Sequence, residues 1–239
     1  MGKHKVILAI RSLEIGGAER QFIELVKNLD LSKLNFDKEV ILIDDGSSDN
    51  TKEIVQNYPD VIYYHQTNQG KGAAVIKGVN LASGDFIIVQ DADLEYDTDD
   101  YFLLLEKINK MKATVVYGNR YNGLKFFIGY KNQNITSIIA NIILTILIFI
   151  FYSKKIKDSL TGMKIYPRNL LMSFKTLTSG FETDHEHTAK ILRLGIKIYE
   201  VPISFFPRSI NEGKKIKSTD FFKAIFTLLK FRFLSNEKF

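Results

Sequence analysis

Two aspartates separated by a single residue, Asp91 and Asp93, follow the short apolar run 86–90. Such a run is typical of a buried strand, and it would bring both carboxylates to the carboxyl edge of a parallel sheet, where open α/β sheets bind their ligands. Carboxylate oxygens are the ligands that Mg²⁺ and Mn²⁺ prefer, and Glu95 would supply a further one. Acidic turns after strands are also common in solvent, so this predicted metal site depends on its surroundings.

A second acidic strand end lies upstream, where Asp44 and Asp45 follow another apolar run. The two carboxylates could contact a ligand at the same sheet edge. Alternatively, Asp45 and Gly46 could form a turn, with Ser47 or Ser48 capping the next helix. The two interpretations are compatible, because a turn can also contact a ligand.

A glycine-rich segment, Gly70-Lys71-Gly72, follows the next predicted strand. The absence of side chains at its glycines permits a close approach of the backbone to a ligand. The segment is not a P-loop, because the Walker spacing and its terminal Lys-Ser/Thr are absent. It is not a dinucleotide-binding fingerprint either, since Gly-x-Gly-x-x-Gly does not follow a strand directly.

Acidic residues and histidines are concentrated at the start of a predicted helix further along the chain. On a helix, Glu182 and Glu186 share one face, as do Asp184 and His187. We do not predict a zinc site there, because His185 and His187 are two positions apart and point in different directions.

The elements that must position these residues alternate along the chain. Short runs rich in Val and Ile alternate with segments that carry apolar residues at helical spacing, which is the pattern of an α/β fold with a mostly parallel sheet. The predicted strands are 6–10, 39–43, 61–64, 85–90, 114–117 and 196–201. The predicted helices of this part are 18–29, 50–57, 73–81 and 99–110.

The composition limits the chemistry further. The chain has 239 residues, 45% hydrophobic and 25% charged, which is enough for one domain with a substantial core. It has no cysteine, which excludes disulfides, thiolate metal sites and cysteine nucleophiles. The net charge of +6 suits an anionic partner. The first apolar run is too short for a secretory signal, so we expect the protein to face the cytoplasm.

The segment Ile135–Tyr152 is 18 residues long and carries no charge. As a helix it would extend about 27 Å, which is marginal for a bilayer span. Ser137, Asn141 and Thr145 recur at every fourth position and would form one polar stripe facing protein. The remaining surface of Ile, Leu and Phe would suit lipid, a partner subunit in a homo-oligomer or the core of the domain.

A second segment, 220–234, is amphipathic, with Lys223, Thr227 and Lys230 on one face and Phe and Leu around the rest. Basic amphipathic helices with aromatic apolar faces lie in the lipid interface. We therefore predict a protein associated with a membrane surface. We do not predict nucleic-acid binding, because the basic residues accompany apolar helices and not a base-stacking platform.

Taken in order, several motifs resemble those of the family 2 glycosyltransferases with the GT-A fold, particularly the dolichyl-phosphate mannose synthase-like and polyprenyl-phosphate sugar transferases. The resemblance covers about 38–233. The motifs are Asp44-Asp45-Gly46-Ser47, Asn68-Gln69-Gly70-Lys71-Gly72, Gly84-Asp85, Asp91-Ala92-Asp93, Gly118-Asn119-Arg120-Tyr121, Asp158-Ser159-Leu160-Thr161-Gly162-Met163-Lys164, Glu200-Val201-Pro202-Ile203, Arg208 and Glu212-Gly213-Lys214-Lys215-Ile216. The resemblance implies a GT-A fold with a mostly parallel sheet flanked by helices, together with helices at the membrane interface.

The resemblance implies a donor site at the strand ends. Asp44 and Asp45 would contact the base or ribose of a nucleotide-diphosphate sugar, and Lys71 would lie near this donor, as would Asp91. A bound Mg²⁺ or Mn²⁺ would offset the charge that grows on the departing nucleotide. The metal ligands that the resemblance implies are Asp91, Asp93 and Glu95.

The acceptor decides which other groups are needed. A polyprenyl phosphate is already an anion and needs cations to position it. The residues expected to do this are Arg120, Arg208, Lys214 and Lys215. A sugar hydroxyl would instead need a carboxylate base, for which Glu182 and Asp184 are the candidates. The predicted catalytic residues are Asp93, Arg120, Glu182 and Asp184.

The first 35 or so residues depart from the family pattern. The family begins with a strand that ends in Pro-x-Tyr-Asn-Glu, whereas this chain carries Gly16-Gly17-Ala18-Glu19-Arg20, which resembles an entry motif of the GT-B glycosyltransferases. A second departure is that related enzymes carry another arginine some distance after Arg120, where this chain has only Lys131 and asparagines.

These observations lead to three hypotheses. The first is an inverting transferase that moves a hexose from a nucleotide-diphosphate sugar to a polyprenyl phosphate. The second is transfer to a sugar hydroxyl in polysaccharide or glycolipid synthesis. The third is an inactive nucleotide-sugar-binding subunit at the membrane.

We divide the chain into a donor-binding part, 1–134, an apolar helix insertion, 135–157, an acceptor-side part of the same domain, 158–217, and a C-terminal amphipathic helix, 218–239. A single crossing of the bilayer by the insertion would put Asp91 and Asp158 on opposite sides. We therefore predict a peripheral or monotopic protein at the cytoplasmic face of a membrane.

Overall fold

The computed structural model describes residues 4–11, 36–48, 50–91, 95–112, 114–121, 135–207 and 218–234. Within these ranges the strands form one seven-stranded sheet in the order β3-β2-β1-β4-β6-β5-β7. The strands are β1 (His4–Arg11), β2 (Phe36–Asp45), β3 (Val61–Gln66), β4 (Phe86–Asp91), β5 (Val115–Asn119), β6 (Lys164–Pro167) and β7 (Ile198–Pro202). All six predicted strands are present, and their observed ends lie within three residues of the predictions.

The sheet is mostly parallel, as predicted, with one exception. Strand β6 runs antiparallel to both β4 and β5 and separates them. It was not predicted, because a four-residue strand that begins with a charged residue, Lys164, has no hydrophobic periodicity to reveal it. Its place in the sheet brings Lys164 opposite Val89 and Tyr117, close to the carboxyl ends of β4 and β5.

Helices cover the sheet within the described ranges. They are α1 (Thr51–Val55), α2 (Lys71–Leu81), α3 (Asp100–Met111), α4 (Ile135–Tyr152), α5 (Arg168–Ser173), α6 (Thr183–Arg193) and α7 (Ser218–Phe233). The predicted helix 18–29 lies outside the described residues. Helix α5 was not predicted, since six residues are too few for a helical period to stand out.

Both faces of the sheet are buried at β2, β4 and β5, which explains the continuous apolar runs in these strands. Leu42 and Ile88 belong to the apolar cluster that includes Leu104 and Leu105 of α3. The alternate residues Ile41 and Ile87 belong instead to the cluster that includes Val75 and Val79 of α2. This two-sided core fixes the register of the strands and so the positions of the polar residues that follow them.

Helix α4 packs against α6 and α7 through one face, which buries Leu144 and Ile148. Asn141 is 3% exposed, donates through Nδ2 to the Lys157 carbonyl oxygen at 3.0 Å, and accepts from the backbone N–H of Ser159 at 3.1 Å. The prediction that the polar stripe of this helix faces protein is confirmed at Asn141. These bonds join the helix to the segment that carries Asp158.

The opposite side of α4 and one side of α7 are exposed and apolar. We call these exposed apolar residues together the apolar face. Its exposed members are Ile135, Ile139, Ile142, Ile143, Ile146, Phe149 and Ile150 of α4 and Phe222, Phe226 and Phe233 of α7. Among the described helices, α4 has the length and composition needed to cross a membrane.

Candidate active site

Asp44, at the end of β2, is buried and bonded within the protein. Its Oδ1 accepts from the Ser47 N–H at 2.8 Å, and its Oδ2 lies 2.7 Å from the donating Tyr63 hydroxyl and 2.9 Å from Nδ1 of His65. Burial alone would raise the pKa of Asp44, but the hydrogen bonds from Ser47, His65 and Tyr63 outweigh it and lower the pKa to about 2. Asp44 therefore holds together the ends of β2 and β3 as an anion.

Asp45 organises the loop that leads into α2. Its Oδ1 accepts from Gln66 Nε2 at 2.7 Å and from the Gln69 N–H at 2.8 Å, and its Oδ2 accepts from the Gly70 N–H at 2.9 Å. Asp45 as a whole is 3% exposed. Contacts of Asp44 and Asp45 with a donor nucleotide stay a prediction, while their bonds inside the protein are now defined.

The predicted turn at Gly46 is confirmed, because its φ is 88°, in the region that favours glycine. The predicted helix cap is wrong. Helix α1 begins at Thr51, and the residue before it, Asn50, makes no side-chain capping bond. The backbone N–H of Ser47 instead donates to the Asp44 side chain, and this bond closes the turn that precedes the helix.

The glycines of Gly70-Lys71-Gly72 leave space for the protein's own backbone, and their close approach to a ligand stays a prediction. A Cβ on Gly70 would lie 2.7 Å from the Ser179 carbonyl oxygen. A Cβ on Gly72 would overlap Oγ1 of Thr183 and lie 2.8 Å from the Ser179 carbonyl carbon. The segment 179–183 therefore docks directly on the start of α2, and the Ala73 N–H donates to the Ser179 oxygen at 3.1 Å.

Lys71 lies between two carboxylates. Its Nζ is 2.7 Å from Oδ2 of Asp91, at the end of β4, and 3.5 Å from Oδ2 of Asp184, in the first turn of α6. It also lies 5.7 Å from the centre of the Phe181 ring. Lys71 is 6% exposed, so its charge is matched by these neighbours more than by water. The structure thus brings three predicted site residues together: Lys71, Asp91 and Asp184.

Lys164 is a further member of the site that was not predicted as one. It is 1% exposed, its Nζ lies 3.8 Å from Oδ1 of Asp184, and this ammonium has no hydrogen-bond partner among the described residues. Burial lowers its pKa from the ordinary value. A lysine inside the motif that follows Asp158 was the available signal, but its inward direction depends on β6, which the sequence did not reveal.

The two lysines control the ionisation of Asp184. Partial burial would raise the pKa of this carboxyl, but the positive charges of Lys164 and Lys71 hold the pKa well below its ordinary range. Glu182 precedes α6, and its Oε1 accepts from the Gly180 N–H at 3.3 Å. Glu186, which was predicted to share a face with Glu182, is fully buried and pairs with Lys190 at 2.8 Å.

Arg120 follows β5 and forms a side-by-side pair with Asp158. Its Nε and Nη2 lie 2.7 and 2.8 Å from the two carboxylate oxygens, and its backbone N–H donates to Oδ2 at 3.0 Å. The guanidinium also lies 4.8 Å from the centre of the Phe205 ring. Although burial opposes it, the charge of Asp158 keeps the pKa of Arg120 raised. Arg120 is therefore positioned by Asp158, and a contact with an acceptor phosphate stays a prediction.

Asp91, at the end of β4, could supply one oxygen ligand to a hard divalent cation. Asp91 is partly exposed, and its Oδ2 accepts a hydrogen bond from the Lys71 ammonium at 2.7 Å. No cluster of three metal-binding side chains exists within the described residues. Asp93, the second predicted ligand, lies outside them, as do the predicted phosphate contacts Arg208, Lys214 and Lys215.

The chain is similar in sequence to dolichyl-phosphate glycosyltransferases. A dolichyl-phosphate beta-glucosyltransferase of Trichomonas vaginalis is 27% identical over 219 residues, a match that covers 87% of this chain and 65% of that protein. The chain therefore spans just under two thirds of this relative. A UDP-N-acetylglucosamine–dolichyl-phosphate N-acetylglucosaminyltransferase of Methanococcus voltae is 25% identical over 230 residues, covering 86% of this chain and 90% of that protein.

The fold agrees with that of solved glycosyltransferases. Glucosyl-3-phosphoglycerate synthase from Mycobacterium tuberculosis in complex with UDP superposes with a TM-score of 0.70 at 18% identity, covering 98% of this chain and 82% of that one. The predicted GT-A fold is confirmed. The family model for glycosyl transferase family 2 matches residues 20–174, which is more than half of the chain. The chain therefore belongs to glycosyl transferase family 2.

Proposed function

We propose that the protein is an inverting glycosyltransferase that moves a hexose from a nucleotide-diphosphate sugar to a polyprenyl phosphate at the cytoplasmic face of a membrane. The observation that carries the proposal is the cluster of Lys71, Asp91 and Asp184 at the carboxyl edge of the sheet, in which the Asp91 side chain is partly exposed. This is where an α/β sheet binds a phosphorylated ligand. The dolichyl-phosphate relatives support the same class of acceptor.

Asp91, together with Asp93 and Glu95, would hold Mg²⁺ or Mn²⁺ in this site. The cation, when bound, offsets the negative charge that develops on the departing nucleoside diphosphate. Complexes of the M. tuberculosis synthase contain Mn²⁺ or Mg²⁺ together with UDP, which supports the choice of metals. Asp44 and Asp45 fix the strand ends beside it, and Lys71 supplies a positive charge for the diphosphate.

The ionisation of Asp184 favours a phosphate acceptor over a hydroxyl. A general base works best when its pKa is close to the working pH, and two lysines hold the pKa of Asp184 well below its ordinary range. Asp184 is thus a weak base. A polyprenyl phosphate needs none, because its oxygen is already ionised and attacks the anomeric carbon as the bond to the nucleotide breaks.

The apolar face supports a position at the membrane surface. Exposed lysines follow α4 in the sequence or lie on α7, and their charge suits anionic headgroups. These lysines are Lys154, Lys155, Lys157, Lys223 and Lys230. Arg120 precedes α4 in the sequence and Asp158 follows it, yet the two side chains form one ion pair. A helix that crossed the bilayer once would separate them, so we infer that α4 lies in one leaflet.

The proposal is tested by incubating the purified protein with a panel of nucleotide sugars, Mg²⁺ or Mn²⁺, and a polyprenyl phosphate. We expect glycosyl phosphoprenol from the unsubstituted protein. We also expect a loss of at least about a hundredfold for Asp91→Ala and Asp93→Ala, the range that follows removal of a group stabilising developing charge. The matched control is Asp60→Ala, which should retain activity. Asp60 directly precedes β3, so it lies at the amino end of this strand, away from the site at the carboxyl ends. Donor binding without turnover would support the inactive subunit.

Transfer to a sugar hydroxyl remains a second candidate because Glu182 is partly exposed at the end of the docked segment. If Glu182 is a general base, Glu182→Gln should lower the turnover rate with a hydroxyl acceptor by about 10²–10⁴-fold. With a polyprenyl phosphate as acceptor, the same variant should change turnover little.

A further inference from the structure

Lys71 occupies an unusual position for a residue next to a metal site. Its ammonium donates to the carboxylate oxygen of Asp91 at 2.7 Å, while a second carboxylate oxygen, on Asp184, lies only 3.5 Å away. We propose that the Lys71 ammonium holds the place of the divalent cation at Asp91, and that it moves to Asp184 when cation and nucleotide diphosphate bind. This inference rests on the proposed function, because it assumes that Asp91 binds the metal.

The first step of the argument concerns charge at Asp91. Within the described part of the chain, Lys71 is the cationic partner found for this carboxylate. A divalent cation on Asp91 would share the carboxylate with an ammonium that is almost entirely shielded from water. Like charges at such separations repel strongly where water is scarce. Either the cation binds weakly or the ammonium leaves Asp91.

The second step concerns where the ammonium can go. Asp184 Oδ2 is close enough that a small rotation of the Lys71 side chain would make a hydrogen bond. On its other side, Asp184 faces Lys164, whose ammonium lies 3.8 Å from Oδ1 and has no hydrogen-bond partner among the described residues. Asp184 is therefore a carboxylate held ionised between two lysines, and its Oδ2 can accept a shorter hydrogen bond from Lys71. The Phe181 ring, 5.7 Å from Nζ, lies alongside and offers its π face.

The consequence is a coupling between two ligands. A nucleoside diphosphate gives Lys71 a further anionic partner away from Asp91, and so favours the position that frees Asp91 for the cation. The cation in turn favours the same position. By linkage, each ligand must strengthen the binding of the other by the same factor. Lys71 is thus a positioning residue whose removal should weaken this coupling.

The test measures Mn²⁺ binding directly, by electron paramagnetic resonance of the unbound ion, without any turnover. The variants are Lys71→Met, which removes the charge and keeps the length, and Lys71→Arg, which keeps the charge. Lys77→Met is the matched control, because Lys77 lies on the same helix with its ammonium over the Tyr64 ring at 3.9 Å. Lys71→Met should bind Mn²⁺ alone about tenfold or more tightly than the unsubstituted protein, within the usual range of coupling between sites. The other two variants should stay within about twofold of it, since they leave the charge at position 71 in place. Equal or weaker binding by Lys71→Met would overturn the proposal.

The coupling is measured with UDP as the probe. In the unsubstituted protein, saturating Mn²⁺ should tighten UDP binding, and in Lys71→Met this gain should shrink by a factor similar to the gain in Mn²⁺ affinity. An unchanged gain contradicts the proposal. If the unsubstituted protein makes product but Lys71→Met shows no tighter Mn²⁺ binding, the place-holding role fails while the proposed function stands. If Lys71→Met binds Mn²⁺ more tightly but the unsubstituted protein makes no product on any acceptor, the place-holding role stands and the proposed function fails.

A second measurement does not depend on the folding of Lys71→Met. The ¹⁵N resonance of the Lys71 ammonium, assigned by its disappearance in Lys71→Arg, should shift when Mg²⁺ and UDP are added to the unsubstituted protein. The Lys77 resonance should not move. A Lys71 resonance that stays in place would show that the ammonium remains on Asp91, and would reject the proposal.

Discussion

Arg120 and Asp158 meet side by side, with their nitrogen and oxygen atoms 2.7 and 2.8 Å apart, although 38 positions of sequence separate them. Helix α4 lies entirely within that interval. Asp158 is fully buried, and its own N–H donates to Oε1 of Glu200 at 3.0 Å, beside β7. The pair therefore joins the end of β5, the segment after the apolar helix and the last strand of the sheet.

Replacing Asp158 should strongly destabilise the protein. Asp158→Asn leaves the buried Arg120 guanidinium without its counter-charge, and breaking such a pair costs about 3–5 kcal/mol. Urea unfolding followed by circular dichroism measures this loss. Glu106→Gln is the matched control, because it breaks a pair with Lys110 on the exposed side of α3. It should cost no more than about 0.5 kcal/mol. Similar costs for the two variants would contradict a structural role of the Arg120–Asp158 pair.

Gly72→Ala should disturb the site by displacing the segment that docks on α2. The added methyl group would overlap Thr183 and press on the backbone of Ser179, and overpacking of this kind costs about 1–3 kcal/mol. Because Asp184 follows directly, transfer activity should fall further than stability explains, on the order of tenfold or more. Enzyme assays at a temperature where the variant is folded measure the difference.

Gly195→Ala separates the two effects. Gly195 has a φ of 74° just beyond the end of α6, with open space around it, so alanine there is strained without meeting a neighbour. Its cost in stability should be about 1 kcal/mol. Transfer kinetics should stay unchanged, because the residue is remote from Lys71 and Asp184. If Gly72→Ala and Gly195→Ala had the same kinetics, docking of the segment would not matter for catalysis.

Most of the fold followed from local patterns, and the parts that did not follow have physical reasons. The apolar runs of β2, β4 and β5 were the clearest signals, because both faces of these strands are buried along most of their length. Strand β6 was not predicted, because it is short and starts with a lysine whose burial is set by its neighbours. Its antiparallel direction depends on contacts between distant residues, which no local period reveals.

The candidate site was predicted in its members more than in its bonds. Lys71, Asp91 and Asp184 come together as the strand ends and motifs indicated. The sequence did not show that Lys71 would bridge the two carboxylates, because this depends on the close docking of 179–183 against glycines. Lys164 was missed for the same kind of reason, since its direction is decided by a strand that was not foreseen.

The apolar face should bind lipid. Phe222 and Phe226 are 68% and 67% exposed on one side of α7. The double variant Phe222→Glu, Phe226→Glu should lower the affinity for vesicles containing anionic lipid on the order of tenfold or more, because each phenylalanine that leaves water contributes about 1.5–3 kcal/mol. Vesicle co-sedimentation measures the change.

Met111→Glu is the matched control for lipid binding. Met111 is 51% exposed at the end of α3 and does not belong to the apolar face. It should leave vesicle binding unchanged. If the unsubstituted protein ignores vesicles but elutes as an oligomer that the double variant dissociates, the apolar face would be an interface between copies of the chain.

Stability should fall in mildly acidic solution because of two histidines on α6. His185 and His187 are 6% and 3% exposed, and burial lowers the pKa of each to about 4, helped by the nearby charges of Lys164 and, at His187, of Lys190. In the unfolded chain their pKa is near the ordinary 6.5. Below about pH 6.5 the unfolded chain therefore takes up protons that the folded protein does not, and the free energy of unfolding decreases as the pH falls towards 4.

Each histidine should contribute a loss on the order of 1 kcal/mol between pH 7 and pH 5.5. Urea unfolding at several pH values in this window measures it, and above about pH 7.5 the contribution should be nearly constant. His185→Gln cannot titrate, and Nδ1 of His185 has no hydrogen-bond partner among the described residues that the change would remove. The variant should therefore show a shallower pH dependence than the unsubstituted protein. If the two slopes were equal, His185 would be able to accept a proton without unfolding, which would require the surroundings of Lys164 and Asp184 to open to water.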